Sequence, residues 1–150
     1  MQELIDILRN KELTISCAES LTAGLFASTI GEYSGVSKVF KGGVVSYWSE
    51  IKQSVLNVPE SVILSSGVVS SECASYMARG VKELFNTDVS VSFTGNAGPE
   101  AMEGKPVGLV YIGLCINQTT FSFEYYFKGT RNEIRKQCVI EATKKLIELL

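Results

Sequence analysis

The sequence predicts a single α/β domain, a three-layer α/β/α sandwich built around a mixed sheet. Apolar runs of strand length alternate with amphipathic stretches of helical period along the chain. One late pair of runs, about 107–115 and 119–127, is joined only by Asn117-Gln118, which makes a hairpin and brings antiparallel pairing into an otherwise parallel order. With 150 residues, 45% of them hydrophobic and 20% charged, the chain fits one ordinary globular core.

The elements follow in order. Residues 2–10 read as a helix, with Leu4, Ile5, Ile7 and Leu8 apolar. A strand over about 13–17 leads into Glu19, Ser20 and Thr22, and a helix is expected over 22–30, stopping at Gly31. Gly35 marks a turn before a second strand over 39–47, whose Gly42-Gly43 signals a bulge or a close approach of ligand or backbone. Short helices follow over 50–56 and from Pro59 to about Ser65, then a long one from Ser70 to about Phe85 with Cys73, Met77, Val81, Leu84 and Phe85 on one face. Residues 89–94 alternate strictly, with Val89, Val91 and Phe93 on one side and Ser90, Ser92 and Thr94 on the other. Residues 95–106 form a loop. After the hairpin, Thr130 and Glu133 make a capping box for the last helix, with Ile134, Cys138, Ala142 and Leu146 as its apolar stripe. No repeat, linker or low-complexity tract interrupts this order.

Composition excludes several classes of function. A net charge of −2 and no basic stripe argue against nucleic acid as a partner. The apolar run near 107–116 is far short of a membrane span, and the charged first ten residues read as a helix, not a secretion signal. Cys17, Cys73, Cys115 and Cys138 lack C-x-x-C spacing, so buried reduced thiols in a cytoplasmic protein are expected, with no metal site. The chain has no histidine, which removes the commonest general base and every Ser-His or Cys-His arrangement.

Any hydrolytic chemistry therefore needs another base. Ser20 follows a strand and precedes a helix, where it is either a helix cap or a nucleophile. A nucleophilic serine without histidine calls for a partly desolvated lysine. Tyr47 and Lys52, at the end of the second strand and one helical turn beyond it, supply a phenol and an amine. Active sites of α/β sheets gather where strands end. Ser20, Tyr47 and Lys52 meet if the first two strands are neighbours; otherwise Lys52 is a solvated surface lysine. The Gly95-Asn96-Ala97-Gly98-Pro99 turn either offers N–H groups to an anion or is an ordinary tight loop. Arg131, at a helix start, either grips a phosphate or stays on the surface.

Five segments in order carry a family resemblance. Ala18-Glu19-Ser20-Leu21-Thr22-Ala23-Gly24 resembles A-E-S-x-T-G-G, and Gly42-Gly43-Val44-Val45-Ser46-Tyr47 with Lys52 resembles G-G-V-V-x-Y-x-x-x-x-K. Gly67-Val68-Val69-Ser70 resembles G-A-V-S. Thr94-Gly95-Asn96-Ala97-Gly98-Pro99 with Lys105-Pro106-Val107-Gly108 resembles T-G-I-A-G-P…K-P-V-G, and Phe127-Lys128-Gly129-Thr130-Arg131 with Arg135 resembles F-x-G-D-R…R. These are motifs of the CinA C-terminal domain family.

The resemblance implies a three-layer α/β fold and hydrolysis of nicotinamide mononucleotide to nicotinic acid mononucleotide and ammonia, without cofactor or metal. It implies Ser20 as nucleophile, assisted by Tyr47 and Lys52. Backbone around Thr22, Ala23 and Gly24 is expected to hold the oxyanion. Gly43, Thr94, Gly95, Gly98, Lys105 and Arg131 are expected along the substrate site. The chain resembles the stand-alone deamidases of the family, and a homo-oligomer fits the resemblance. Departures from the motifs are Ala23 for glycine, Asn96 for an apolar residue, Glu100-Ala101-Met102-Glu103 for a glycine-rich stretch, and Thr130 for aspartate. They motivate the alternative of a non-catalytic module that binds a nucleotide or a partner protein.

Overall fold

The computed structural model describes residues 1–150 and runs α1 (Gln2–Asn10), β1 (Ile15–Glu19), α2 (Leu25–Gly31), a 3-10 turn (Val36–Lys38), β2 (Phe40–Val45), α3 (Ser49–Leu56), α4 (Glu60–Ser66), α5 (Ser71–Phe85), β3 (Val89–Gly95), β4 (Leu109–Ile116), β5 (Thr119–Tyr126) and α6 (Arg131–Leu149). The five strands form one sheet in the order β2-β1-β3-β4-β5. β1 pairs in parallel with both β2 and β3, whereas β3–β4 and β4–β5 are antiparallel. The mixed sheet is as expected.

Helices cover both faces, which makes the three layers. On one side α1, α2 and α6 place Leu4, Ile5, Leu8, Phe26, Ile30, Ile134, Cys138 and Leu146 against Ile15, Val91, Phe93 and Ile112 of the sheet. On the other, α3 and α5 place Leu56, Cys73, Met77 and Val81 against Ala18 and Leu109. All five residues of β1 are buried, as a parallel strand with helices on both faces requires.

The alternation in β3 does not mark a solvent face. Both of its sides are buried. Ser90 and Ser92 donate to the α5 carbonyls of Ala78 and Ala74, each at 2.6 Å, and Thr94 donates to Val68 O at 2.6 Å. Polar side chains are tolerated inside when a backbone acceptor meets each one. Gly80 of α5 packs so closely on the C-terminal end of α3 that a Cβ there would overlap Leu56 O. That approach holds α3 tightly against α5.

Several boundaries differ from the sequence reading: β1 spans Ile15–Glu19 and not 13–17, and β2 ends at Val45, two residues before Tyr47. α2 begins at Leu25 and not at Thr22, because Ala23 (φ 48°) and Gly24 (φ 91°) are left-handed. β4 begins at Leu109, after the turn that ends the preceding loop. No helix is long and apolar enough to cross a membrane.

Candidate active site

The three parallel strands end on the same edge of the sheet, with β1 between the other two. Pairing continues past the strand ends: Ser20 N–H donates to Phe93 O at 3.0 Å, and Ser46 N–H donates to Glu19 O at 2.8 Å. Ser20 therefore stands at the end of β1, between the ends of β2 and β3, where the chain runs outward from β1 to β2 and then crosses back over to β3, the place where α/β sheets collect ligands.

Lys52 reaches into that crevice from α3. Its Nζ lies 3.1 Å from Ser20 Oγ, 2.6 Å from Ser46 O and 3.4 Å from Tyr47 O. The residue is only 1% exposed, and no carboxylate lies within ion-pair distance of it. Burial lowers the pKa of the amine from the ordinary lysine value, partly offset by nearby Cys73 and Glu103. A neutral amine has two N–H donors and one lone pair. Two carbonyls and one hydroxyl match that set, with the lone pair left for the Ser20 proton. The thiols, by contrast, are disarmed: burial pushes Cys73 to about 11 and Cys138 to about 12, and raises Cys17 well above its usual value.

The turn after Ser20 does not present the N-terminus of α2 to a ligand. Leu25 N–H donates to Thr22 O at 3.1 Å and Ser28 N–H to Gly24 O at 2.8 Å. Between them, Phe26 and Ala27 N–H donate to the buried Glu19 carboxylate at 3.1 and 2.9 Å. Thr22 O also accepts from Arg135 of α6, at 2.8 Å from Nη2 and 3.3 Å from Nε. The N–H groups of Leu21, Thr22 and Gly24 have no acceptor in the chain.

A cavity of about 310 Å³ opens over Ser20, walled by Leu21, Tyr47, Trp48, Gly95 to Gly98, Glu100, Met102 and Arg131. The structure thus gathers Ser20, Tyr47, Gly95, Gly98 and Arg131 at one cavity, with Lys52 beneath Ser20. The Tyr47 phenol does not meet Lys52. It accepts from Arg131 Nη2 at 2.6 Å, while Arg131 Nη1 donates to Gly98 O at 2.7 Å.

Six expected substrate-site positions, Thr22, Ala23, Gly24, Gly43, Thr94 and Lys105, lie off the cavity wall. Gly43 is packed against Cys17, where a Cβ would overlap Cys17 Sγ. Thr94 gives its hydroxyl to Val68 O. Ala23 shapes the turn. Lys105 Nζ is held by Val69 O (2.5 Å), Ser66 O (2.9 Å) and Glu103 (3.2 Å), and Glu103 itself accepts from Val68 and Val69 N–H at 2.7 and 3.1 Å. Glu103 and Lys105 therefore staple the 96–108 loop to the start of α5.

The family model for the CinA C-terminal domain matches residues 1–150, the whole chain. The chain belongs to the CinA C-terminal domain family. It is 51% identical over 134 residues to a putative competence-damage inducible protein of Bacillus thuringiensis (strain Al Hakam), covering 89% of this chain and 32% of that one. A Bacillus cereus (strain AH820) protein of the same name is 50% identical over the same share of each chain. The chain thus spans about a third of the length of the curated relatives it matches. Among solved structures, a CinA superfamily protein from Escherichia coli superposes with a TM-score of 0.96 at 30% identity, over 98% of this chain and 86% of that one. A competence/damage inducible protein from Agrobacterium tumefaciens gives a TM-score of 0.94 at 34% identity, over 99% and 92%.

Within this CinA domain, several site residues carry no sequence signal. Ser46 acts through its carbonyl, which any residue has. Trp48 and Met102 come to the cavity as exposed apolar side chains. Asn96 is buried and ties its loop by donating to Met102 O and Lys105 O, at 3.2 and 3.0 Å, and accepting from Met102 N–H. Its place in the glycine-rich turn was the one available sign.

Proposed function

We propose that this CinA domain hydrolyses the carboxamide of nicotinamide mononucleotide, giving nicotinic acid mononucleotide and ammonia. The observation that carries the reading is the buried Lys52 Nζ, 3.1 Å from Ser20 Oγ and unpaired with any carboxylate. Ser20 Oγ attacks the amide carbon while its proton passes to the Lys52 amine. The N–H groups of Leu21, Thr22 and Gly24 receive the oxyanion. The C–N bond then breaks, the Lys52 ammonium returns the proton to the leaving nitrogen, and ammonia departs from an acyl ester on Ser20. Water attacks that ester, Lys52 takes a proton from it and passes one to Ser20 Oγ, and the carboxylate is released. Tyr47 and Arg131 form the polar side of the cavity and bind the nucleotide's phosphate.

Ammonia release from nicotinamide mononucleotide by the purified chain tests the reading. Turnover by wild type, with loss of at least a thousandfold in Ser20→Ala, is expected. Undiminished turnover in Ser20→Ala removes the nucleophile. Stabilisation by the nucleotide without ammonia release replaces the amidase with a binding module.

A further inference from the structure

We propose that Glu19 is the positioning residue of the nucleophile turn: its buried carboxylate closes the start of α2 and so sets where Ser20 Oγ stands against Lys52. This rests on the amidase reading above. Glu19 is 1% exposed and has no cationic partner. Its two oxygens instead take Phe26 N–H and Ala27 N–H, with the Cys17 thiol donating to Oε1 at 3.5 Å. These are the second and third residues of α2, the ones a side-chain cap normally serves from just before a helix. Glu19 serves them from the end of β1, with Ser20 to Gly24 looped between.

The loop needs that closure. Ala23 and Gly24 are consecutive left-handed residues, and the residue preceding the helix is a glycine with no side chain to cap it. Apart from Glu19, the turn is tethered from outside by Ser20 N–H on Phe93 O and by Arg135 on Thr22 O. With the carboxylate, the turn is pinned to the strand at one end and to the helix at the other. A displacement of about 1 Å between reacting groups costs on the order of a hundredfold in rate. The carboxylate also sits on the positive end of the α2 dipole, so that end does not serve the oxyanion.

The test compares Glu19→Gln and Glu19→Asp with Ile30→Val, a fully buried change on the same helix away from the turn. Each is assayed for kcat, KM, the pH midpoint of kcat/KM and Tm, with nicotinamide mononucleotide as substrate. Glu19→Gln sets an NH2 against one of the two N–H donors, and Glu19→Asp reaches short of both. Both are expected to lose tenfold or more in kcat, with KM within twofold of wild type and the pH midpoint unchanged, because Lys52 keeps its surroundings. Ile30→Val is expected to keep kcat within twofold at a comparable fall in Tm. If Glu19→Gln and Glu19→Asp lose Tm but keep kcat as Ile30→Val does, Glu19 is a structural cap only. If Glu19→Gln is faster than wild type, the α2 dipole acts on the reaction and the proposal is wrong.

Should wild type release no ammonia, the amidase reading fails on its own. The positioning claim is then read from labelling of Ser20 by a fluorophosphonate probe, where the same tenfold fall in rate is expected in Glu19→Gln. Wild type that neither releases ammonia nor labels has no activated serine, which overturns both.

Discussion

The phenol of Tyr47 accepts a 2.6 Å hydrogen bond from Arg131, across the mouth of the cavity, while the backbone carbonyl of Tyr47 faces Lys52. One residue thus serves the amine through its main chain and the cavity wall through its side chain. Tyr47→Phe leaves the carbonyl in place and releases Arg131. A partly exposed hydrogen bond to a charged donor is worth about 1 kcal/mol, or roughly fivefold in binding. Steady-state kinetics should show KM rising about fivefold with kcat within threefold of wild type. A collapse of kcat at constant KM would place the phenol in proton transfer.

Lys52→Met should abolish ammonia release and raise stability at neutral pH. The folded-state pKa of Lys52 is lowered by burial, so the unfolded chain binds the proton more tightly. Stability contributed at this site accordingly increases as pH rises through the lowered folded value toward the ordinary value near 10.4, and is flat above it. Thermal melts of wild type and Lys52→Met from pH 6 to 10 should converge as pH increases. In the active chain, kcat/KM should rise with pH, with its midpoint below that of an ordinary lysine.

Ala23→Gly should stabilise the chain. Ala23 holds φ 48°, a conformation that costs a residue with a Cβ about 1 kcal/mol or more. For a domain of this size that corresponds to roughly 2–4 °C in Tm, measured by calorimetry.

Gly43→Ala should do the opposite. The new Cβ meets Cys17 Sγ and the Cys17 carbonyl, so the β1–β2 pair must spread. Overpacking of this kind costs about 1–3 kcal/mol. The midpoint of urea unfolding should fall, with KM for any ligand little changed, since Gly43 lies off the cavity wall.

Glu103 holds the 96–108 loop by accepting from Val68 and Val69 N–H and from Lys105. Burial alone would raise its pKa, but those bonds together with the Lys105 charge outweigh it and hold the carboxyl below its ordinary value. The stability it contributes is present above the unfolded value near 4.3 and is lost as pH falls through the lower folded value. Amide exchange at Val68 and Val69 should be faster in Glu103→Gln than in wild type at neutral pH.

The order of elements was readable because strand and helix periods differ, and the meeting of Ser20 with Lys52 was readable because both follow strand ends. The start of α2 was not. Ser20 and Thr22 carry the hydroxyls that usually cap helices, whereas the cap comes from Glu19, on the strand side, and the intervening turn is left-handed. Lys105 was expected at the substrate. Its partners Ser66, Val69 and Glu103 come from a turn more than thirty residues away and from its own loop, and local spacing does not report such contacts. The alternation placed Ser90 and Ser92 on one side of β3, but nothing in the strand announces that the carbonyls of α5 lie over them.

Two of the three groups around the Lys52 amine are main-chain oxygens, from Ser46 and Tyr47. Its surroundings are thus inherited from the path of the chain more than from the identity of neighbouring side chains. Side chains at 46 and 47 can drift without disturbing these contacts to the amine. A single-residue insertion between 46 and 52 would swing the lysine about 100° around α3 and carry its amine away from Ser20 at a stroke.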